Sequence, residues 1–272
     1  MSQAFKSVKI GRRSLRCVCS GEDVVTVVVD VGMGISAEHG LTRSHALGWA
    51  KVFRELERAT RVCMYDRAGV GQSDPVHSPR TSLDMVKDLH ALLKNAAIPG
   101  PYVLVGHSIG GFNALLYAHE YPKEVAGLAL VDSTHPDQQA RFDALLPPQA
   151  AKEPSFVRAL RSKEGLVGAE GFDMVRSAEQ VRSIASLGNL PLVVVSRSLN
   201  QPVTSETPAE LAAAVEAAWA KLQTELLSLS TRSSHLIAEH AGHNIQLDDP
   251  QLVIGAILKV VHTLRLEARV VH

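Results

Sequence analysis

The stretch Tyr102-Val-Leu-Val-Gly-His-Ser-Ile-Gly-Gly-Phe-Asn-Ala-Leu-Leu-Tyr117 decides how the rest of the chain is read. Its first five residues form a short, uninterrupted apolar run, as in a strand covered on both faces. Its last nine have helical spacing and begin at once. Between them stands Gly106-His-Ser108-Ile-Gly110, a G-x-S-x-G pattern. The pattern is short enough to arise by chance, but a buried strand before it and a helix after it are the setting it requires. A strand that turns abruptly into a helix forces the central serine into a strained conformation. Gly106 and Gly110 then remove side chains that would collide with Ser108, and Gly111 lets the helix pack close. The result is an exposed hydroxyl at a helix N-terminus, where developing negative charge is favoured.

Outward from this point the chain alternates strands and helices. Residues 6–10 and 13–19 read as a hairpin turned at Gly11. Strands are then expected at Val24–Asp30, Arg61–Tyr65, Tyr102–Gly106, Val125–Val131, Leu192–Ser196 and Ser234–Glu239. Helices are expected at Gly48–Arg58, Ser82–Ala96, Ile109–His119, Pro208–Ser228 and Pro250–Leu266, the last opened by Asp249 as cap and Pro250 in the first turn. Such alternation predicts a doubly wound α/β architecture. Residues 135–190 break the rhythm, being far longer than a crossover needs. Helical patterns near Ser155–Leu166 and Ser177–Leu187 predict a helical lid over the carboxyl edge of the sheet.

Composition narrows the function classes. The chain has 272 residues, 21% charged and 46% hydrophobic, as in ordinary globular proteins. Lys+Arg and Asp+Glu are 28 each, so no net field favours nucleic acid or an anionic membrane. No apolar run reaches membrane-spanning length, and the N-terminus lacks the apolar centre of a signal peptide. An odd count of cysteines, Cys17, Cys19 and Cys63, predicts reduced thiols in the cytoplasm. Cys17 and Cys19 alone are too few for a zinc site. Gly32-Met-Gly34 lacks the third spaced glycine of a dinucleotide loop, so neither metal nor cofactor is expected.

Two further segments stand in order with the Ser108 motif: "YDRAGVGQSD" (Tyr65–Asp74) and "AGHNIQLDDP" (Ala241–Pro250). Together the three resemble serine hydrolases of the α/β-hydrolase fold, over nearly the whole chain except 135–190. The resemblance implies a mostly parallel eight-stranded sheet flanked by helices. The core would be 1–134 and 191–272, with 135–190 a lid inserted after the sixth strand. It makes Ser108 the nucleophile and His243, after the last strand, the general base. His240 is the nearby competitor. His107 is expected to hydrogen-bond locally in the turn. The oxyanion hole needs two backbone N–H donors. These would be Ile109, after the nucleophile, and Met33, in the loop Asp30–Ile35 after the third strand. Relatives often carry His-Gly there and this chain has Val31-Gly32. Asp66 is expected to anchor a turn, and Trp49 and Trp219 to pack in the core.

The catalytic acid should follow Ser and precede His. The usual place, the polar loop that ends the stretch "PLVVVSRSLNQPV" (Pro191–Val203), holds Ser196, Arg197, Ser198, Asn200 and Gln201 and no carboxylate before Glu206. Asp132, ending the strand before the long interval, is therefore the first candidate, and some relatives carry the acid there. Glu206 is second. Asp137 lies further into the lid, and Asp248 and Asp249 read as caps. The reaction so implied is cofactor-free hydrolysis of a small, mainly apolar carboxylic ester through an acyl-enzyme. Lactonase or C–C bond hydrolase activity with the same triad, or a relative that only binds ligand, are the alternatives. A serine nucleophile argues against the dehalogenase and epoxide hydrolase branches, which use Asp.

Overall fold

Eight strands form one sheet in a computed structural model that describes residues 4–41, 48–77, 79–161, 166–198 and 208–270. In chain order the first elements are β1 (Lys6–Ile10), β2 (Arg13–Ser20), β3 (Thr26–Asp30), α1 (Ala37–Leu41), α2 (Ala50–Ala59), β4 (Arg61–Tyr65), α3 (Ser82–Asn95), β5 (Tyr102–His107), α4 (Gly110–Glu120) and β6 (Val125–Val131). Then come α5 (Gln138–Asp143), α6 (Ser155–Arg161), the short strands β7 (Leu166–Val167) and β8 (Phe172–Asp173), and α7 (Met174–Arg182). The chain closes with β9 (Leu192–Arg197), α8 (Ala209–Glu225), a 3-10 turn (Leu226–Leu229), β10 (Ser233–Ala238), α9 (Ile245–Asp248) and α10 (Pro250–Val270).

The sheet order is β1-β2-β4-β3-β5-β6-β9-β10. Within this sheet, among the described residues, only the β1–β2 and β2–β4 pairs are antiparallel. The continuous apolar strands serve two cores, one on each face. Leu104, Leu128, Leu130 and Val194 face α3 and α4. Their sequence neighbours Val103, Val105, Ala129, Val131, Val193 and Val195 face α2 and α10. A period of two with both phases apolar reads as one unbroken run. Trp49 is fully buried in the second core, as its helical setting predicts. Helix α3 starts with a capping box, Thr81 accepting from the Asp84 amide while Asp84 accepts from that of Thr81, an arrangement that contributes about 1 kcal/mol. Among the described residues no helix is long and apolar enough to cross a membrane.

Two expectations are corrected. Cys19 and Cys63 form a disulfide, and only Cys17 is free, buried in the core. The antiparallel register of β2 and β4 sets Cys19 directly opposite Cys63, a pairing across 44 residues that counting cysteines cannot reveal. The interval after β6 is also less helical than expected. Leu166 begins a strand, and Gly168 and Gly171, at φ 69° and 60°, turn β7 into β8. Helix α7 starts early, at Met174, because the Asp173 side chain caps it by accepting from Arg176 N.

Candidate active site

The turn from β5 into α4 carries Ser108 at φ 55°, a left-handed conformation that costs a non-glycine residue about 1–2 kcal/mol. The flanking glycines act differently from expectation. A Cβ on Gly106 would come within 2.6 Å of the Gly110 carbonyl oxygen, so the bare Gly106 leaves room for the first backbone of the helix. A Cβ on Gly110 would strike the Asp30 carbonyl of β3, and one on Gly111 the Ser133 side chain beyond β6. The three glycines thus let the turn seat between the ends of β3 and β6.

Asp132, at φ 40° immediately after β6, is completely buried. Its Oδ2 lies 2.6 Å from His243 Nδ1 in the loop between β10 and α9. Three more donors saturate it. Trp219 Nε1 and the Arg197 amide donate to Oδ1 at 2.9 and 3.1 Å, and Arg197 Nη1 donates to Oδ2 at 2.8 Å. Burial pushes this carboxyl up, but the His243 hydrogen bond and the Arg197 charge outweigh it and hold Asp132 below the usual carboxylate range. With Nδ1 engaged, Nε2 is the His243 nitrogen left for Ser108. Both residues line the same cavity.

Two sequence readings change here. The end of β9, which offers no carboxylate, still serves the site: Arg197 is the counter-ion of Asp132. It also bridges to Glu216 of α8 at 2.9 Å and stacks over the Trp219 ring at 4.6 Å. Trp219, expected only to pack, is buried and also hydrogen-bonds Asp132. No motif could announce these contacts, which join residues 65 and 87 positions apart. Glu206 lies outside the described residues. Asp137 pairs with Arg182, Asp248 accepts from Gly242 N and Asp249 from Leu252 N, so each serves a local structural purpose. His240 is exposed at the end of the β10 turn.

Arg197→Leu leaves Asp132 and Glu216 buried with one counter-ion fewer, and is expected to cost about 3–5 kcal/mol of stability. The sign with pH follows from Asp132. A depressed carboxyl stabilises the fold above its unfolded value, near 4, and that contribution disappears as pH falls through the folded value. Without Arg197 the folded value rises. Thermal unfolding followed from pH 7 down to 3 should show the variant losing Tm at a higher pH than the wild type.

His107 is fully buried, and burial, with the neighbouring His243, pushes it down to about 4, so it is neutral at pH 7. Rather than bonding within the turn, its Nε2 donates to the His243 carbonyl oxygen at 2.9 Å, pinning that loop. Asp66 anchors a turn as expected, accepting from the amides of Ala37 and Gln72. Met33 and Ile109 both border the cavity beside Ser108, and their N–H groups have no partner among the described residues. The cavity holds about 500 Å³. Its walls are Phe142, Phe156, Leu160 and Met174 from the segment between β6 and β9, and Val215 and Trp219 from α8. The charged side chains that line it are Arg197 and Glu216, which pair with each other.

A family model described as alpha/beta hydrolase fold matches residues 38–170. Among curated proteins, the uncharacterized protein YqjL of Bacillus subtilis is 29% identical over 241 residues, 88% of this chain and 85% of its own. The 2-(acetamidomethylene)succinate hydrolase of Mesorhizobium japonicum is 31% identical over 107 residues, 39% of this chain and 38% of its own. Among solved structures, a thermophilic esterase from Thermogutta terrifontis superposes with a TM-score of 0.63 at 19% identity, covering 96% of this chain and 98% of that one. Hydrolases thus recur among its relatives, and with its sheet order and serine turn this chain is an α/β-hydrolase fold protein.

Proposed function

We propose that the protein is a cofactor-free serine hydrolase of the carboxylesterase type, with Ser108, His243 and Asp132 as its triad. The observation that carries the reading is the 2.6 Å contact between His243 and a saturated, buried Asp132, beside a cavity that also exposes the strained Ser108. A serine hydroxyl is a weak nucleophile until a base takes its proton. His243 Nε2 accepts that proton as Ser108 Oγ attacks the ester carbonyl. Asp132 holds the proton on Nδ1, fixing the tautomer, and stabilises the imidazolium that forms. The N–H groups of Met33 and Ile109 receive the carbonyl oxygen as it becomes an oxyanion, each such donor contributing about 10²–10³ in rate. Collapse of the intermediate expels the alcohol, which takes the proton from His243. Water, deprotonated by the same imidazole, then releases the acid and restores Ser108.

The apolar walls and the internally neutralised Arg197–Glu216 pair favour an uncharged ester with an aliphatic or aromatic acyl group. The segment 135–190 serves as the lid, since five of its residues line the cavity. A panel of p-nitrophenyl esters, lactones and dienone acids tests the reading. Short and medium neutral esters should turn over with a stoichiometric burst of nitrophenol and an acyl adduct detectable by mass spectrometry. Turnover confined to lactones or to the dienone acids would move the assignment to those reactions. Binding without turnover of any of them would reject hydrolysis.

A further inference from the structure

The loop that presents Met33 is gripped from behind by two charged, buried residues that the triad does not use. Arg67, in the loop after β4, donates from Nη1 to the Val31 carbonyl at 2.6 Å and from Nη2 to the Gly32 carbonyl at 2.8 Å. Glu170, in the turn between β7 and β8, accepts from the Gly34 amide on Oε1 at 2.6 Å. The two grip each other, Arg67 Nε reaching Glu170 Oε2 at 2.5 Å and Nη2 reaching Oε1 at 3.0 Å. Arg67 also pairs with Asp30 at the end of β3, whose other oxygen accepts from Tyr65 and Asn113. Glu170 is completely buried and Arg67 nearly so. Arg67 outweighs the effect of burial on Glu170 and keeps it ionised.

The consequence follows from peptide geometry. The Gly32 carbonyl and the Met33 N–H belong to one planar trans peptide and point in opposite directions. Fixing that carbonyl on Arg67 therefore aims the Met33 N–H the other way. The next peptide joins the Met33 carbonyl to the Gly34 N–H, and Glu170 holds that N–H. Both peptide planes flanking Met33 are thus fixed by one ion pair. A buried ion pair is not in itself a source of net stability, because desolvation opposes it. Placing a carboxylate from the inserted segment against this loop is better explained by what it orients.

We propose that Arg67 and Glu170 are positioning residues for the oxyanion hole, orienting the Met33 N–H, so that the turn 168–171 of the inserted segment completes the site. The proposal rests on the serine-hydrolase reading above. The turn itself is fastened independently of the Glu170 carboxylate. The Arg80 amide donates to the Gly171 carbonyl and the Asp173 amide to that of Arg80, at 2.8 and 2.7 Å. A Cβ on Gly69 would lie 2.5 Å from the Ala169 carbonyl oxygen, so the turn sits directly on the backbone after β4. Changing the carboxylate alone should therefore leave the turn in place.

The test is Glu170→Gln, assayed with a p-nitrophenyl ester and inhibited by an aliphatic trifluoromethyl ketone, whose hemiketal with Ser108 carries the oxyanion. The amide group presents only one acceptor to three donors. Because a misaimed donor is still present, the loss should be smaller than that for a deleted one. We expect kcat to fall about 10–100-fold, below the roughly 10²–10³ of a lost donor, with KM within about twofold. The ketone Ki should rise by the same factor as kcat/KM falls. An unchanged kcat, a loss confined to KM, or a Ki that stays constant while kcat falls overturns the proposal. If wild type neither turns over esters nor forms the hemiketal, the hydrolase reading fails and the proposal with it. If wild type is active beside an unimpaired variant, only the positioning role fails. Should the variant not fold, amide exchange in wild type decides. The Gly34 amide should exchange slowly throughout and the Met33 amide should slow when the ketone binds. Fast exchange at Gly34, or no change at Met33, overturns the proposal.

Discussion

Ser108→Ala should lower kcat on the order of 10⁶-fold, as expected when the nucleophile of a triad is removed. The remaining rate would come from the oxyanion donors and the cavity acting on water. The same position predicts a stability effect of the opposite sense. Ser108 sits at φ 55°, which alanine tolerates no better than serine. Glycine removes about 1–2 kcal/mol of strain and returns about 0.5–1 of it as chain entropy. Ser108→Gly should therefore be as inactive as Ser108→Ala and more stable than it by up to about 1.5 kcal/mol. Equilibrium urea unfolding of the two variants reads that difference. A glycine variant less stable than the alanine variant would mean that the turn is not strained.

Asp132→Asn should lower kcat by roughly 10⁴. The loss follows from the hydrogen-bond arithmetic at one atom. Oδ2 of Asp132 accepts from His243 Nδ1 and Arg197 Nη1. The carbonyl of asparagine can replace Oδ1, facing Trp219 and the Arg197 amide, but its NH₂ then opposes two donors. His243 can satisfy the NH₂ only by presenting an unprotonated Nδ1, which puts the proton on Nε2 and removes the base. The backbone should hold, because asparagine accepts the left-handed conformation seen at φ 40°. Stability should nonetheless fall by about 3–5 kcal/mol, since Arg197 loses one of its two buried carboxylates. Glu206→Gln is the control and should leave kcat within twofold. If Glu206→Gln abolishes turnover while Asp132→Asn does not, the acid has been misassigned.

The parts legible in sequence were those written in local pattern. The strand–serine–helix transition at 102–117 depends on glycines within a few residues of Ser108. The sheet was readable because its strands are apolar on both faces. Even the carboxylate partner of His243 was legible, through an absence: no carboxylate follows Ser196 before Glu206, while Asp132 directly follows β6 and lies 2.6 Å from His243. What escaped were contacts made by sheet register and by long loops. Arg197 looked like a loop residue because nothing near it in sequence says that its partner lies 65 positions back. Glu170 reaches Arg67 across 103 positions, from a two-strand turn too short to have a period of its own. Cys19 meets Cys63 only because β2 runs antiparallel to β4 in one register. Trp219 was misread for a different reason. Its apolar ring does pack among Phe142, Leu160 and Val215, and only its indole N–H, aimed at Asp132, belongs to the site. Amphipathic side chains of this kind carry a core signal and a functional one in the same residue.

The most direct measurement is to treat the folded protein with a fluorophosphonate at pH 8 and map the adduct by peptide mass spectrometry. The account predicts one phosphonyl group, on Ser108, formed rapidly in wild type and Glu206→Gln and far more slowly in Asp132→Asn. No adduct on the folded wild type, an adduct on another residue, or equal labelling rates in wild type and Asp132→Asn would contradict it.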